Sequence, residues 1–110
     1  MDRPLPAVDN GSVARPKLTD DEVRDGLAGL PGWAREGDEI VKVYERATFP
    51  DAIDFVGRIA ELAEAANHHP DLDIRYRKVR VALSTHDSGG LTALDLSLAG
   101  EIEQAAESGV

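Results

Sequence analysis

The stretch that most constrains the order of elements is EAANHHPDLDIRYRKVRVALSTHDSGGLT, residues 64–92. It contains a helix end, a strand region and a glycine turn in succession. A helical pattern ends near Asn67, and Pro70 prevents its continuation. In residues 74–85 the apolar side chains change from even to odd positions, which one regular strand cannot accommodate. We therefore predict two short strands, or one bulged strand, broken near Arg77-Lys78, although Arg-Lys is a poor two-residue hairpin turn.

The region upstream of this stretch is predicted to form a helix and two strands. Thr19-Asp20-Asp21-Glu22 is a capping-box pattern that predicts a helix start, and Pro31-Gly32 ends this helix. Trp33 opens a short extended segment, and Glu36-Gly37-Asp38 has the composition of a hairpin turn. Residues 40–46 are rich in β-branched and aromatic side chains, so they form the second predicted strand. The apolar stripe of the helix is Val23, Leu27 and Leu30.

Two more helices flank the strand region. Pro50 suits the first turn of the longest helix, which we predict over residues 50–67. Thr92-Ala93-Leu94-Asp95 predicts the start of the last helix. The predicted buried residues are Ile53, Val56, Ile59 or Ala60, Ala63 and Ala66 in the longest helix, and Leu94, Leu98, Ile102 and Ala105 in the last.

The predicted order of elements is α-β-β-α-β-β-α. The economical packing for this order is an α+β fold of two layers, in which a four-stranded antiparallel sheet carries the helices on one face. Such a sheet leaves one face or one edge uncovered. A homo-oligomer is therefore expected.

The 110 residues have room for one domain with a modest core. Residues 1–17 contain three of the six prolines and show no periodicity, so we predict a flexible N-terminal tail before a domain over residues 18–110. The absence of cysteine excludes disulfides and thiolate chemistry. No apolar run is long enough for a membrane span, and no signal pattern opens the sequence. We expect a soluble cytoplasmic protein.

The chain is acidic, with 21 acidic and 12 basic residues, a formal net charge of -9 and an isoelectric point near 4.6. This charge repels phosphate backbones and anionic membranes, so neither nucleic acid nor a membrane is an expected partner. One basic cluster departs from the general balance. We predict that it is a solvated strand face or a subunit contact rather than an anion site. Its members are Arg75, Arg77, Lys78 and Arg80.

All three histidines, His68, His69 and His86, lie within residues 64–92. His68 stands four residues after Glu64, so helical spacing would place the carboxylate beside the imidazole. His86 lies at a predicted strand end beside the Gly89-Gly90 turn, where a loop can close backbone amides around a ligand. Histidines that meet from a helix end and a strand end would form an acid/base pocket.

Three interpretations of these histidines compete. In the first, they only cap the helix and occupy the surface. In the second, Glu64, His68 and His86 bind a metal, but adjacent histidines cannot chelate from one helix face as an i, i+4 pair does. In the third, the histidines perform general acid/base chemistry without a metal or a cofactor, which requires only groups with a pKa near neutrality. The third interpretation is favoured, but the residues alone name no substrate.

The spacing of these residues resembles that of a known family, the pterin-4a-carbinolamine dehydratases, which are also described in animals as dimerisation cofactors of a homeodomain transcription factor. The family pattern is an acidic or polar residue, three others, His, His or Asn, Pro, then an aromatic, nine residues, His, and a later Asp. Residues 85–92 strengthen the match, which covers about residues 18–107. The matching residues are Glu64, His68, His69, Pro70, Tyr76, His86 and Asp95.

The resemblance implies a homodimer or homotetramer and the removal of water from a 4a-hydroxytetrahydropterin, such as 4a-hydroxytetrahydrobiopterin, to give quinonoid dihydropterin. This reaction recycles the cofactor of aromatic amino acid hydroxylases, so a pterin-dependent hydroxylase is an expected partner beside the pterin substrate. By the same resemblance, the catalytic residues are His68, His69 and His86, the substrate-binding residues are Glu64, Pro70, Thr85, Asp87 and Ser88, and Asp95 is an orienting residue.

Two positions depart from the family pattern. Leu72 stands where many members carry Trp, and Asp71 replaces Glu. The loss of an aromatic wall would weaken pterin affinity more than the acid/base step. Trp33 is predicted to be core packing. A second class of function stays open, a non-catalytic interaction protein that binds a partner through the same fold, but retention of all three histidines favours the dehydratase.

Overall fold

The computed structural model describes residues 16–108, and its elements follow the predicted order. The predicted tail lies outside the described residues, apart from positions 16 and 17. The elements are α1 (Asp20–Leu27), β1 (Ala34–Glu36), β2 (Glu39–Glu45), α2 (Phe49–Ala66), β3 (Asp71–Arg75), β4 (Lys78–Leu83), a 3-10 turn (His86–Ser88) and α3 (Ala93–Ser108).

The four strands form one antiparallel sheet in the order β1-β2-β4-β3, which confirms the predicted α+β fold. The core lies between one face of this sheet and the three helices. Because side chains alternate along a strand, every second residue of the two central strands points into the core. The core residues are Ile40, Tyr44, Val79, Val81 and Leu83 from the sheet, and Val23, Phe55, Ile59, Leu98 and Ile102 from the helices.

The helix starts agree with their predicted caps. The hydroxyl of Thr19 accepts from the backbone N–H of Glu22, whose side chain bonds back to the N–H of Thr19, so the capping box of α1 is present. At α3, the carboxylate of Asp95 accepts from the N–H of Thr92 at 2.9 Å, and Leu94 N–H donates to the Thr92 hydroxyl at 3.2 Å. These local signals were sufficient because each cap is contained within four residues.

The buried face of α2 differs in part from the predicted one. Ile59 and Ala63 are buried as predicted, but Ile53 is 41% exposed and Ala60 is also exposed. The stripe that contacts the sheet is Ala52, Phe55, Ile59 and Ala63, at spacings of three and four. Ile53 lies about 100° around the helix from Ala52, so it faces away from the core.

The strand region divides into two strands, so the bulged alternative is wrong. The turn residues are Tyr76 and Arg77, one position earlier than predicted, and Tyr76 has a φ of 57°. The hairpin places Ile74 opposite Val79, which puts the even apolar residues of β3 on the same face as the odd ones of β4. The change of parity along the sequence is therefore the consequence of a two-residue turn.

A polar cluster ties α3 to the sheet. Glu103 accepts hydrogen bonds from Lys42 Nζ at 2.9 Å, Tyr44 OH at 2.6 Å and Trp33 Nε1 at 3.3 Å. Trp33 is only 5% exposed, and its ring meets that of Tyr44 edge-on with centroids 6.2 Å apart. The predicted core position of Trp33 is confirmed.

The three arginines of the basic cluster in the β3–β4 hairpin pair with carboxylates on the same sheet. The ion pairs are Arg75 with Asp73, Arg77 with Glu45 and Arg80 with Glu36, each with a shortest N to O distance of 3.0 Å. This arrangement supports a solvated strand face rather than an anion site. Over the described residues, no helix combines the length and the apolar character needed to cross a membrane.

Candidate active site

The end of α2 determines where His68 lies. The helix ends at Ala66, and Asn67 adopts the left-handed conformation with φ 51° and ψ 44°. Asparagine tolerates this conformation better than most residues. The backbone N–H of His68 then bonds the carbonyl of Ala63 at 3.0 Å. His68 therefore lies beyond the helix, and its imidazole contacts α3.

Asp95, in the first turn of α3, is fully buried and holds that imidazole. Its Oδ1 lies 2.6 Å from Nε2 of His68. Its Oδ2 accepts from the hydroxyl of Thr85 at 2.8 Å and from the backbone N–H of Thr92 at 2.9 Å. The carboxylate thus joins the ends of α2 and β4 to the start of α3. A satisfied buried network of this kind fixes the orientation of its members.

The predicted pairing of Glu64 with His68 is wrong. Oε2 of Glu64 lies 2.5 Å from Nε2 of His69, and both side chains are more than half exposed. The i, i+4 spacing does not apply because α2 ends before His68, and the left-handed residue reverses the direction of the chain. Because both side chains are exposed, this pair contributes little to stability.

The three histidines meet at one cavity of about 250 Å³. His68 is 9% exposed, whereas His69 and His86 are exposed. The cavity is therefore bounded by one anchored imidazole and two accessible ones. Its lining residues are Asn67, His68, His69, Ser84, Thr85, His86 and Asp87.

The segment after β4 positions His86. Thr85 pairs with Gly90 through backbone hydrogen bonds, with 2.9 Å between Thr85 N and Gly90 O. His86–Ser88 form a single 3-10 turn between them, which ends at Gly89 with φ 73°. A residue other than glycine is strained at such a positive φ. The short loop therefore holds His86 at the mouth of the cavity.

Only some of the predicted substrate-binding residues line the cavity. Asp87 lines the cavity, whereas Glu64, Pro70 and Ser88 do not. Thr85 lines it but is only 8% exposed, and its hydroxyl is engaged with Asp95. The Thr85 hydroxyl therefore bonds another residue of the protein and is not available to bind a ligand directly.

Sequence reasoning missed Asn67 and Ser84 as lining residues, and the hydroxyl of Thr92 as part of the buried network. Ser84 directly precedes the Thr85-His86 pair, which is the one signal that could have indicated it. Within residues 16–108, no three His, Cys, Asp or Glu side chains are grouped so that they could hold a metal ion. The alternative metal site of Glu64, His68 and His86 is thus not assembled.

The profile of the family described as "Pterin 4 alpha carbinolamine dehydratase" matches residues 16–105. The chain belongs to this family. The match includes all the residues of the cavity and of the buried network. It confirms the resemblance noted in the sequence.

Named relatives align with this dehydratase-family chain over nearly their whole length. A Roseiflexus castenholzii protein named "Putative pterin-4-alpha-carbinolamine dehydratase" is 54% identical over 87 residues, which is 79% of this chain and 94% of the relative. A Mycobacteroides abscessus protein of the same name is 55% identical over 86 residues, 78% of this chain and 92% of the relative.

Solved structures agree with the fold. The crystal structure of a transcriptional coactivator/pterin dehydratase from Brucella melitensis has a TM-score of 0.79 and 32% identity, covering 82% of this chain and 98% of that one. A pterin dehydratase-like protein identified as a RuBisCO assembly factor in the alpha-carboxysome has a TM-score of 0.62 and 19% identity, covering 70% and 92%. The second likeness is one of fold alone.

Proposed function

We propose that this protein is a pterin-4a-carbinolamine dehydratase that removes water from a 4a-hydroxytetrahydropterin by histidine general acid/base catalysis. The observation that carries the proposal is the meeting of all three histidines at one cavity, where the buried Asp95 anchors His68. Membership of the family supports the reaction. Imidazoles suit both halves of it, because their ordinary pKa lies near neutrality.

The reaction requires two proton transfers at adjacent atoms of the pterin. A base removes the proton from N5, the electron pair forms the C4a to N5 double bond, and the C4a to oxygen bond breaks. An acid delivers a proton to the departing hydroxyl, so the products are water and quinonoid dihydropterin. His68 and His86 approach the cavity from different elements, and we assign them to opposite ends of this elimination.

The size and position of the cavity support a compact heterocycle as ligand. Its volume of about 250 Å³ lies just below the ~300–1,000 Å³ of typical ligand pockets. We place the pterin between the segments 67–69 and 84–87, which line the cavity and whose backbone groups can bond its polar edge. Leu72, which replaces an aromatic residue of the family pattern, is not a lining residue of this cavity. Its effect on pterin affinity is therefore expected to be small.

In the cell, we propose that the reaction recycles the pterin cofactor of an aromatic amino acid hydroxylase, with 4a-hydroxytetrahydrobiopterin as a candidate substrate. The acidic character of the chain supports small-molecule chemistry rather than nucleic-acid binding. The site requires no metal in this proposal, because the acid, the base and the anchoring carboxylate are all side chains of the protein.

We also propose that the protein is a homodimer or homotetramer that associates through β3. β3 is an edge strand whose five residues are all exposed, although Leu72 and Ile74 pair with the buried Val81 and Val79 on the helix side of the sheet. Phe49 and Ile53 of α2 are also exposed on the helix side. An uncovered edge beside apolar side chains is typical of a surface that pairs with another chain. The same surface is what the alternative function, a non-catalytic interaction protein, would use.

A direct dehydration assay with freshly generated carbinolamine tests the proposed function. We expect the protein to accelerate loss of the 4a-hydroxypterin chromophore, and the rate to be unchanged after extensive dialysis against a chelator. Asp54→Asn, on the exposed face of α2, is the control variant and should have the wild-type rate. A rate equal to that of buffer would favour the interaction protein, and loss of activity that zinc or iron restores would revive the metal interpretation.

A further inference from the structure

The hydrogen bonds around Asp95 have a single direction. The hydroxyl of Thr85 donates to Oδ2 of Asp95 at 2.8 Å. A hydroxyl group has one hydrogen, so in the 2.8 Å contact between the Thr85 and Thr92 hydroxyls the donor must be Thr92. The Thr92 oxygen in turn accepts from the N–H of Leu94 at 3.2 Å. A chain of donors therefore runs from Leu94 through two hydroxyls and ends on the carboxylate.

This direction determines what each carboxylate oxygen can do. Oδ2 of Asp95 meets two donors, the Thr85 hydroxyl and the Thr92 N–H, so it acts only as an acceptor. Oδ1 faces Nε2 of His68, at 2.6 Å. The two hydrogen bonds donated to Oδ2 favour the charged carboxylate, in which Oδ1 is also an acceptor. The proton of the Oδ1 contact is therefore on Nε2.

The other ring nitrogen of His68 then has the opposite role. In neutral histidine one ring nitrogen donates and the other accepts. With the proton on Nε2, which faces Asp95, the acceptor is Nδ1. His68 lines the cavity that also contains His69, His86 and Asp87. Nδ1 is thus the atom of His68 that remains for a ligand.

We propose that the hydroxyl pair of Thr92 and Thr85 positions Asp95 so that it holds His68 in the Nε2–H tautomer, and that Nδ1 exchanges the proton with the substrate. The identity of the reacting partner rests on the proposed dehydratase function, whereas the tautomer does not. Thr92 and Thr85 are positioning residues, since they act through Asp95. This assignment replaces substrate binding as the role of the Thr85 hydroxyl and adds to helix capping as the role of Thr92.

The substitution Asp95→Asn gives the sharpest test. The position of Oδ2 faces two donors, so the amide oxygen must occupy it, and the amide NH₂ must face His68. Nε2 then has to accept, which moves the proton of His68 to Nδ1 and reverses the tautomer. A comparable Asp→Asn change in the Ser-His-Asp triad leaves the geometry intact and lowers turnover about 10⁴-fold.

The experiment uses the full chain labelled with ¹⁵N-histidine and long-range ¹H–¹⁵N spectra at a pH where the imidazoles are neutral, with signals assigned through single His→Gln variants. We expect Nε2–H for His68 in the wild type and Nδ1–H in Asp95→Asn. An Nδ1–H tautomer in the wild type, or an unchanged tautomer in a folded Asp95→Asn, would overturn the proposal. The wild-type spectrum alone decides it if the variant does not fold.

The hydroxyl variants separate positioning from capping. Thr85→Val removes the hydroxyl that donates to Asp95 and leaves the cap of α3 intact. Thr92→Val removes the hydroxyl that bonds Thr85 and accepts from the N–H of Leu94 in that cap. We expect each to admit the second tautomer of His68 and to lower kcat roughly three- to tenfold with little change in KM, and Thr92→Ser to restore both. Wild-type spectra and kcat in both Val variants would overturn the positioning role. The predicted tautomers in a protein without dehydratase activity would refute the proposed function and support this inference.

Discussion

Asn67 shows how one residue directs the candidate site. Its left-handed backbone ends α2 and turns His68 towards α3, where the imidazole forms a hydrogen bond with Asp95. The sequence indicated a helix end here, because Pro70 cannot continue a helix, but it gave no means of finding the αL residue. The pairing of Glu64 with His68 was wrong for this reason. Asp95 was assigned as an orienting residue through the family resemblance, since a contact between residues 27 positions apart leaves no local pattern.

We predict that Asn67→Ala lowers the free energy of unfolding by about 1 kcal/mol, because an alanine at φ 51° is strained. Asn67→Gly should leave stability nearly unchanged, since glycine adopts this conformation freely. The measurement is urea unfolding followed by circular dichroism. Ala65→Gly, within α2, is the matched control, and there glycine should cost roughly 0.5–1 kcal/mol. Equal stability of wild type and Asn67→Ala would show that the conformation at residue 67 carries no strain.

At the level of elements, caps and turns were predicted well and faces less well. The caps at Thr19 and Thr92 are complete within four residues, so propensity and spacing suffice to find them. The face of α2 depends on how the helix lies on the sheet, and an apolar residue such as Ile53 can be left outside it. The two-residue turn at Tyr76 was uncertain because its composition is unusual for a hairpin.

Glu103 is the residue of α3 that bonds to side chains of β2. Burial alone would raise the pKa of Glu103, but hydrogen bonds from Lys42 and Tyr44 and the charge of Lys42 outweigh it and lower the pKa below its ordinary 4.5. Burial and the neighbouring Glu103 carboxylate raise the pKa of the Tyr44 hydroxyl, which therefore remains a donor at neutral pH. Because the folded-state pKa of Glu103 is lowered, its contribution to stability is present above the unfolded pKa and is lost as pH falls through the folded value.

We predict that Glu103→Gln lowers the free energy of unfolding by about 1–3 kcal/mol at pH 7. The difference from wild type should shrink as pH falls below about 4.5. Urea unfolding at a series of pH values measures both effects. Glu101→Gln, an exposed position of the same helix with the same change of charge, should cost little at any pH. A difference that stays constant down to the acid limit would contradict the assigned ionisation of Glu103.

Among residues 16–108, most of the exposed large apolar side chains belong to two elements, β3 and α2. Of the six such side chains in this described part of the chain, Leu72 and Ile74 lie on β3, and Phe49 and Ile53 lie on α2. Val43, which is 53% exposed, lies instead on the opposite face of the sheet. The sequence predicted that a face or an edge would be uncovered. It did not distinguish the two, because that choice depends on the strand order.

We predict that the protein is an oligomer in solution and that Ile74→Lys dissociates it, because a charge at the β3 edge opposes burial of that edge. Size exclusion with light scattering over the micromolar range is the measurement. Val43→Lys adds the same charge to the face of the sheet opposite the helices and should leave the oligomer intact. If Val43→Lys dissociates the oligomer and Ile74→Lys does not, the sheet face is the contact, and a monomeric wild type would refute the oligomer itself.

We propose that His68 and His86 transfer protons at opposite ends of the elimination. Stopped-flow loss of the 4a-hydroxypterin chromophore tests it directly, with circular dichroism as the folding control and Asp54→Asn as the matched surface variant. Replacement of either histidine by Ala should lower turnover roughly 10²- to 10⁴-fold. The double variant should lose less than the product of the two factors, because residues that act together are not additive. Near-normal turnover in a well-folded His86→Ala protein would contradict the proton-transfer roles assigned to the two histidines.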